Sequence, residues 1–240
     1  MLGANGHVYP FGDAATLGNA PAPASAIAAR RDGHGYWTTD TMGRVRAFGT
    51  AQTHGGRPPL AVGERVTTIA ATPSGNGYWL FTNRGRVHAY GDAHSQGDLS
   101  RIHLNGGIVA SSATATGRGY YMIGTDGGVF AFGDARFHGS TGHKLLNKPV
   151  VDMSPTPDDR GYWLVAADGG VFAFGNATFH GSMANVPLRQ PINGLAAYGH
   201  GYLMVASDGG VFDFSDKAFL GSLGNNPPAT PIVGIAAFTT

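Results

Sequence analysis

Five polar side chains recur along the chain at intervals of 42, 42, 42 and 40 residues, and each directly precedes a Gly-Tyr pair. Imidazole, amide and guanidinium groups donate hydrogen bonds, and guanidinium groups also pair with anions. Brought to one surface, such groups would bind sugar hydroxyls or anionic groups. Because loops are polar by default, the alternative is that these are solvated turn residues without a ligand. The five residues are His34, Asn76, Arg118, Arg160 and His200.

The ten histidines raise the question of a metal site, because imidazole is a common zinc ligand. Three of them, His54, His138 and His180, occupy one repeat position. Equivalent positions in separate repeats lie far apart unless they line a common axis, so we expect solvated or hydrogen-bonded histidines. The prediction is therefore that the protein has no metal site and no cofactor.

Motifs of common catalytic centres are absent from the sequence, which has no Gly-x-Ser-x-Gly, His-Glu-x-x-His, phosphate-binding loop or EF-hand loop. Glu64 is the only glutamate, so a catalytic carboxylate pair would consist mainly of aspartates, and most of these lie at predicted turns. We predict that the protein is not an enzyme. A glycosidase or lyase whose site combines residues from several repeats is the lesser alternative.

The elements that would position these residues are six copies of one unit of about forty residues. The copies align on the valine of a Gly-x-Val-x-Ala-Phe-Gly-Asp-Ala pattern, and two of them read DGGVFAFGDARFHGS and DGGVFAFGNATFHGS. Successive valines are separated by 37, 42, 42, 42 and 40 residues. The six valines are Val8, Val45, Val87, Val129, Val171 and Val211.

Each unit divides into four segments of strand length, separated by Gly, Pro and Asp. In the fifth unit, segments A, B, C and D are residues 150–156, 161–167, 170–175 and 178–182. Asp168-Gly169 between B and C predicts a two-residue hairpin turn with both residues at positive φ. The residue after each segment C is predicted to accept backbone hydrogen bonds at the next turn. Those residues are Asp13, Thr50, Asp92, Asp134, Asn176 and Asp216.

Four short antiparallel strands per unit are typical of the blades of a β-propeller, so we predict an all-β, six-bladed propeller. Segment A contains small residues, such as LAA at 195–197, as expected where inner strands crowd around a channel. Segments B and C contain the aromatic residues, which suits strands covered on both faces by neighbouring blades. The chain is predicted to be one domain, with approximate blades at 1–23 with 231–240, 24–65, 66–107, 108–149, 150–190 and 191–230.

The two ends of the chain are predicted to share one blade. Residues 232–238 form a lone segment A, whereas Met1-Leu2-Gly3 aligns with the middle of a segment B, residues 164–166. Pairing of the two ends would close the ring and remove open sheet edges. The structural alternative is an open array of units.

Charge and composition narrow the choice of partners. The formal net charge is only +1, so no basic field attracts nucleic acid or an anionic membrane. No apolar run reaches the roughly 18 residues of a membrane span, and the first residues lack the basic and apolar regions that a signal peptide would have. We therefore expect no nucleic-acid binding and no membrane insertion, and we expect the isolated domain to be monomeric.

The stretches GYWLVAADGGVFAFGNATFHGS, GYYMIGTDGGVFAFGDARFHGS and TPDDRGYWLVA resemble repeats of secreted or surface-attached actinobacterial proteins, where they often stand beside cell-wall hydrolases or esterases. The resemblance covers all six units and weakens in the first two, where Arg46 and Thr50 replace Phe and Asp. It implies a propeller-like accessory module outside the cell or on its surface. It assigns no catalytic residues.

Two functional classes remain open. In the first, one face of the ring binds cell-envelope or other polysaccharide through the five polar residues. In the second, the ring is a structural or protein-interaction platform that binds a surface protein.

Overall fold

The computed structural model describes residues 1–21 and 23–238, and these residues form an all-β structure without helices. The predicted fold class is thereby confirmed at the level of short antiparallel strands. Positions 22, 239 and 240, which belong to the predicted first blade, lie outside the described residues.

Five sheets contain three antiparallel strands each, in the order of the chain. In every sheet the middle strand begins with the Gly-Tyr pair. Segments A, B and C of the repeat therefore supply the three strands. The sheets are β2 (Ala26–Ala29), β3 (Gly35–Thr39) and β4 (Val45–Gly49); β5 (Val66–Ala71), β6 (Gly77–Thr82) and β7 (Val87–Gly91); β8 (Ile108–Ala113), β9 (Gly119–Gly124) and β10 (Val129–Gly133); β11 (Val150–Pro155), β12 (Gly161–Ala166) and β13 (Val171–Gly175); and β14 (Ile192–Tyr198), β15 (Gly201–Ala206) and β16 (Val211–Phe214).

The two ends of the chain pair with each other to form a sixth sheet. Its strands are β1 (Leu2–Gly3) and β17 (Ile232–Gly234), which are antiparallel with Gly3 opposite Ile232. Leu2 also forms a single bridge with Val8, which stands where the other sheets have their third strand. The sheet thus combines a first strand from one end of the chain with a second strand from the other.

The prediction of a fourth strand in each unit is wrong, because segment D follows the preceding strands without joining their ladder. Instead, its backbone N–H and C=O groups form hydrogen bonds with side chains. In the fifth unit, Trp163 Nε1 donates to the Thr178 carbonyl at 2.7 Å, and His180 N–H donates to the Tyr202 hydroxyl of the next sheet at 3.2 Å. Tyr202 in turn donates to the Gly181 carbonyl at 2.6 Å. Segment D is therefore held between two sheets by side-chain hydrogen bonds.

The predicted two-residue hairpin turn is also wrong in its details. Gly169 N–H donates to the Ala166 carbonyl at 2.9 Å, so Ala167 and Asp168 occupy the centre of the turn. Gly169 alone of this group has positive φ, at 79°, and Asp168 Oδ1 accepts the Gly170 N–H at 3.0 Å. Asp168 therefore contributes a carboxylate that accepts a backbone hydrogen bond, and only Gly169 needs the freedom to adopt a positive φ.

The core lies between consecutive sheets. Along β12, Tyr162 and Leu164 pack in a cluster with residues of the β8–β10 sheet, whereas Trp163 and Val165 pack with the β14–β16 sheet. All four side chains are at most 2% exposed. The two-residue periodicity of a strand therefore sends large side chains alternately to two neighbours, which explains the aromatic residues on both faces.

The first strands of the sheets contact one another in sequence and line a common cavity. We call β2, β5, β8, β11, β14 and β17 the inner strands; each contacts the next one in this order, and β17 also contacts β2. Residues of all six inner strands or their immediate flanks line a cavity of about 290 Å³, which we call the central cavity.

Candidate functional site

The five sequence-predicted residues are all exposed, and each directly precedes the first residue of a middle strand. They lie in the turn between the first and second strands, which we call the A–B turn. In four of the five units the backbone carbonyl of this residue accepts a hydrogen bond from the residue after the third strand. Arg118 and Arg160 accept the N–H groups of Asp134 and Asn176 at 3.3 and 3.1 Å. His34 and Asn76 accept those of Thr50 and Asp92 in the same way.

A glycine at the end of the third strand makes this arrangement possible. Gly133 has φ of 66°, and a Cβ at this position would overlap the Arg118 carbonyl. Gly175 has the same relationship to Arg160. The close approach of the two backbone segments therefore fixes the position of the site residue at this end of the sheet.

The polar residue after each third strand was predicted to accept backbone hydrogen bonds at the next turn along the chain. This prediction is wrong for those of these residues whose side chains form hydrogen bonds. They bind the A–B turn of their own unit. Asp134 accepts hydrogen bonds from Thr114 at 2.9 Å and Thr116 at 2.5 Å, and its Oδ2 lies 3.6 Å from Arg118 Nε. The reason is antiparallel geometry, since the A–B turn and the end of the third strand lie at the same end of a sheet.

Acidic side chains lie beside the arginine and histidine residues of the A–B turns. Arg160 Nε lies 3.9 Å from Asp158 Oδ2, and His200 Nδ1 lies 2.5 Å from Asp216 Oδ2. Hydrogen bonds from the His200 backbone N–H and ring lower the pKa of Asp216 to about 2. Desolvation raises the pKa of Asp134, but hydrogen bonds from its threonines and the charge of Arg118 outweigh it, and the net shift is downward. The turns thus present paired donors and acceptors with little net charge.

Several A–B turns contact one another directly. Arg30 Nη1 donates to the Gly75 carbonyl at 2.7 Å, and Arg31 Nη1 donates to the Ala115 carbonyl at 3.3 Å. Ala115 N–H donates to Asp159 Oδ2 at 2.6 Å. These bonds join the turns of four consecutive sheets, from β2–β4 to β11–β13.

Arg30, Arg31 and Asp159 were missed by the sequence reasoning. The available signal was the clustering of charge in RRD at 30–32 and DDR at 158–160. The turns that contain His34, Asn76, Arg118 and Arg160 are brought together by these contacts, whereas His200 bonds only within its own unit among the described residues. Among the described residues, none of the five predicted side chains forms a hydrogen bond with another of the five.

Exposed aromatic rings recur in segment D of three consecutive units. Phe137, Phe179 and Phe219 are 60%, 56% and 55% exposed. They occupy the same repeat position and lie four residues after the end of the third strand in two of the three units. These rings are a second group of candidate contact residues that the sequence reasoning did not single out.

Asp152, on the inner strand β11, is the remaining candidate. A β-bulge at Val151 shifts the register so that Asp152 lies opposite Val165. Its carboxylate crosses to the next inner strand and accepts the Leu195 N–H at 2.8 Å, and it also accepts the Met153 N–H at 2.8 Å. Desolvation raises its pKa to about 7, against the two hydrogen bonds, which lower it. The group is half-buried in the wall of the central cavity.

The three histidines at one repeat position lie against tyrosines of the following sheet. The rings of His54, His138 and His180 have their centroids 6.0, 5.7 and 6.0 Å from those of Tyr78, Tyr162 and Tyr202. Among residues 1–21 and 23–238, no group of three or more His, Cys, Asp or Glu side chains is placed to hold a metal ion. The same residues contain no helix with the length and hydropathy that a membrane crossing needs.

No protein-family model matches this chain, and no curated protein matches it at a significant level of similarity.

Proposed function

We propose that the chain is a six-bladed β-propeller that forms one domain over residues 1–240. The proposal is supported by the contacts of the inner strands, which run from β2 to β17 and return to β2. It is further supported by the pairing of β1 with β17, which joins the two ends of the chain in one sheet. The β17–β2 contact argues against the alternative of an open array.

We further propose that this propeller is a non-catalytic module that binds polysaccharide at the face formed by the A–B turns. The observation that carries the proposal is that five exposed polar side chains, each from a separate sheet, stand at the same end of their sheets. Direct hydrogen bonds between neighbouring turns make a continuous surface from four of these sheets.

The charge balance favours a neutral, polyhydroxylated ligand over a polyanion. Arg118 and Arg160 each have an aspartate within 4 Å, so the net field at the surface is weak while donors and acceptors stay available. Exposed rings such as Phe137 and Phe179 add apolar surfaces against which sugar rings pack. Hydroxyl recognition by paired polar groups and aromatic contacts suits a polysaccharide.

A glycan array tests this function. The wild-type domain is compared with R118A/R160A and with the charge-matched control K148A/R189A, whose exposed side chains lie in the loops before β11 and β14, at the other end of the sheets. We expect the wild type and the control to bind the same glycans and R118A/R160A to lose them. A blank array for the wild type, or equal binding by all three proteins, would refute the proposal.

The second candidate function is a protein-interaction platform, which the exposed Phe137, Phe179 and Phe219 favour. Exposed aromatic side chains are enriched in protein–protein interfaces. The variant F137S/F179S should then abolish cross-linking to a surface protein while R118A/R160A retains it. The opposite pattern would assign the interaction to the A–B turns.

The setting we propose is extracellular or at the cell surface, as the resemblance to actinobacterial accessory repeats implies. We propose no catalytic residue and no cofactor for this chain, and we propose that the domain is a monomer in isolation.

A further inference from the structure

A second surface, of different composition, lies at the end of the sheets opposite the A–B turns. It consists of the turns between second and third strands, which we call the B–C turns, and the loops from segment D to the next first strand, which we call the D–A loops. Antiparallel strands place both at the same end of the sheets. The B–C turns are residues 40–44, 82–86, 124–128, 166–170 and 206–210, and the D–A loops are residues 56–65, 98–107, 140–149, 182–191 and 222–231.

Backbone hydrogen bonds join these turns and loops into one continuous surface. At the start of a D–A loop, Thr141 N–H donates to the Gly127 carbonyl in the B–C turn of the same unit at 3.0 Å. At its end, the Pro149 carbonyl accepts the Ala167 N–H from the B–C turn of the next unit at 3.0 Å. Each loop is therefore fixed between two B–C turns. Equivalent pairs of bonds are Arg57–Gly43 with Asn83–Arg65, Leu99–Gly85 with Thr125–Gly107, and Met183–Gly169 with Ser207–Pro191.

Four consecutive D–A loops each present an exposed aliphatic side chain. Val62, Ile102, Leu145 and Val186 are 95%, 55%, 103% and 48% exposed. Val62 and Leu145 are as exposed as in an extended peptide, so no neighbouring side chains form a pocket around them. The fifth loop, residues 222–231, contains no exposed Val, Ile, Leu or Met and no charged residue.

The charges of this face are predominantly positive, although the formal net charge of the chain is only +1. The B–C turns and D–A loops contain nine arginine and lysine residues against six carboxylates, whereas the remainder of the chain has seven against nine. The buried Asp40 and Glu64 pair with Arg44 and Arg86. The other seven cations are exposed, and among the described residues none lies within 4 Å of a carboxylate. They are Arg57, Arg65, Arg84, Arg101, Lys144, Lys148 and Arg189.

The cations and the aliphatic side chains of this face are neighbours. Arg101 directly precedes Ile102, and Lys144 directly precedes Leu145. Arg84, from the B–C turn of the following sheet, donates through Nη2 to the Val62 carbonyl at 2.6 Å. At a membrane surface, cations meet anionic headgroups while neighbouring apolar side chains enter the boundary between headgroups and acyl chains.

We propose that this face docks the domain on an anionic lipid surface. The seven unpaired cations pair with headgroup phosphates, and the four aliphatic side chains enter the interface, while the A–B turns point away from the membrane. The net charge of the chain predicted no attraction to such a surface. Docking depends instead on the charges within about a Debye length of the lipid, and those charges are the ones on this face. The protein lies on the membrane, and no strand is inserted.

The shape of the apolar contacts favours a lipid surface over a folded partner or a soluble polyanion. Fully exposed, separate side chains such as Val62 and Leu145 offer no groove for a side chain of another protein. A fluid interface accommodates each of them individually, and mobile headgroups adapt to the spacing of the cations. A soluble polyanion would pair with the cations but would gain nothing from the aliphatic side chains.

Co-sedimentation with vesicles tests the proposal. Vesicles of equal parts phosphatidylcholine and phosphatidylglycerol are compared with vesicles of phosphatidylcholine alone. We expect the wild type to bind the anionic vesicles at least about tenfold more tightly than the neutral ones. R101A/K144A should weaken binding about tenfold or more, because each cation near an anionic surface contributes about fivefold. V62S/L145S should also weaken it by about tenfold, through loss of apolar contact with the interface.

Two matched controls should bind the anionic vesicles as the wild type does. R136A/K217A removes two exposed cations that follow third strands, at the other end of the sheets. N225S/N226S changes exposed residues of the fifth D–A loop. Because all substituted side chains are exposed, folding should be preserved, and circular dichroism of each variant verifies this.

The proposal is overturned if the wild type does not bind anionic vesicles, if it binds neutral vesicles equally well, or if R136A/K217A weakens binding as much as R101A/K144A. Wild-type binding by V62S/L145S would also overturn it, and competition by soluble dextran sulfate would then assign the face to a polyanion. The glycan array probes the opposite face, so either experiment can fail while the other succeeds.

Discussion

The hydroxyl group of Tyr162 joins its own sheet to the segment that precedes it. It donates a hydrogen bond to the Gly139 carbonyl at 2.6 Å and accepts one from the His138 N–H at 3.1 Å. The same pair of bonds recurs with Tyr78, which binds His54 and Gly55. One buried hydroxyl thus replaces the ladder that a fourth strand would have made.

Removing this hydroxyl in Y162F should destabilise the protein by about 1–3 kcal/mol, because the His138 N–H and the Gly139 carbonyl would lose their partner. In a domain of this size the melting temperature should fall by about 2–4 °C for each kcal/mol. Y198F is the matched control, since the Tyr198 hydroxyl makes one exposed bond of 3.3 Å. Equal melting temperatures for the two variants would contradict the assigned role of Tyr162.

Truncation of Ile232 tests the pairing of the chain ends. Ile232 is 0% exposed and lies opposite Gly3, so I232A should cost about 2–5 kcal/mol through loss of burial and a residual cavity. V233A, on the same strand but half-buried, should cost about 1 kcal/mol or less. Denaturant unfolding measures both variants. If the end strand frayed freely, the two substitutions would have the same small effect.

The glycine that ends the third strand should be intolerant of a side chain. The G133A substitution forces an alanine to a φ near 66° and places its Cβ against the Arg118 carbonyl. We expect the free energy of unfolding to fall by about 1–3 kcal/mol. G128A is the control, because a Cβ there meets only the Asp126 side chain, at 3.1 Å. Thermal unfolding of both variants is the measurement. A G133A protein as stable as G128A would show that the close backbone approach is not required.

Stability should decline as pH rises from about 4 to about 7. Burial raises the pKa of Asp152 from an ordinary 3.8 to about 7, so in this window the folded protein binds more protons than the unfolded chain. The free energy of unfolding therefore falls as pH rises through the window, and the loss is complete above the folded-state pKa.

Denaturant unfolding at pH 5 and pH 8 measures this effect, with D152N as reference. Since Asn has one acceptor oxygen where Asp152 uses two, D152N also loses a backbone hydrogen bond, and the pH dependence is compared instead of the absolute stability. All other ionisable groups are the same in both proteins, so their contributions cancel in the difference. A wild-type protein with the same pH dependence as D152N would show that Asp152 ionises normally.

Much of the local structure followed from the pattern of residues. Segments B and C of the fifth unit were predicted at 161–167 and 170–175, and the strands span Gly161–Ala166 and Val171–Gly175. Alternating large side chains and Gly-containing turns specify these strands locally, because strand periodicity and turn chemistry depend on neighbouring residues. The exposure of the five site residues followed from the same turn chemistry.

Segment D shows where local reasoning failed. Residues 178–182 have the length of a strand, but their hydrogen-bonding partners are a tryptophan of their own sheet and Tyr202 of the next one. A hydrogen bond to a side chain of a separate repeat cannot be recognised from the residue pattern of the segment itself. The backbone conformation of segment D was therefore decided by contacts between sheets.

The sequence by itself determined the repeat, the strands formed by segments A, B and C, and the residues that lie at the A–B turns, because all of these depend on side chains close along the chain. The tertiary structure alone decided that Arg31 bonds to Ala115, 84 residues away, and that Asp152 accepts the Leu195 N–H of the next inner strand, 43 residues away. The physical reason is that hydrogen bonding and desolvation depend on which distant groups surround an atom, and only the packing of whole sheets brings those groups together.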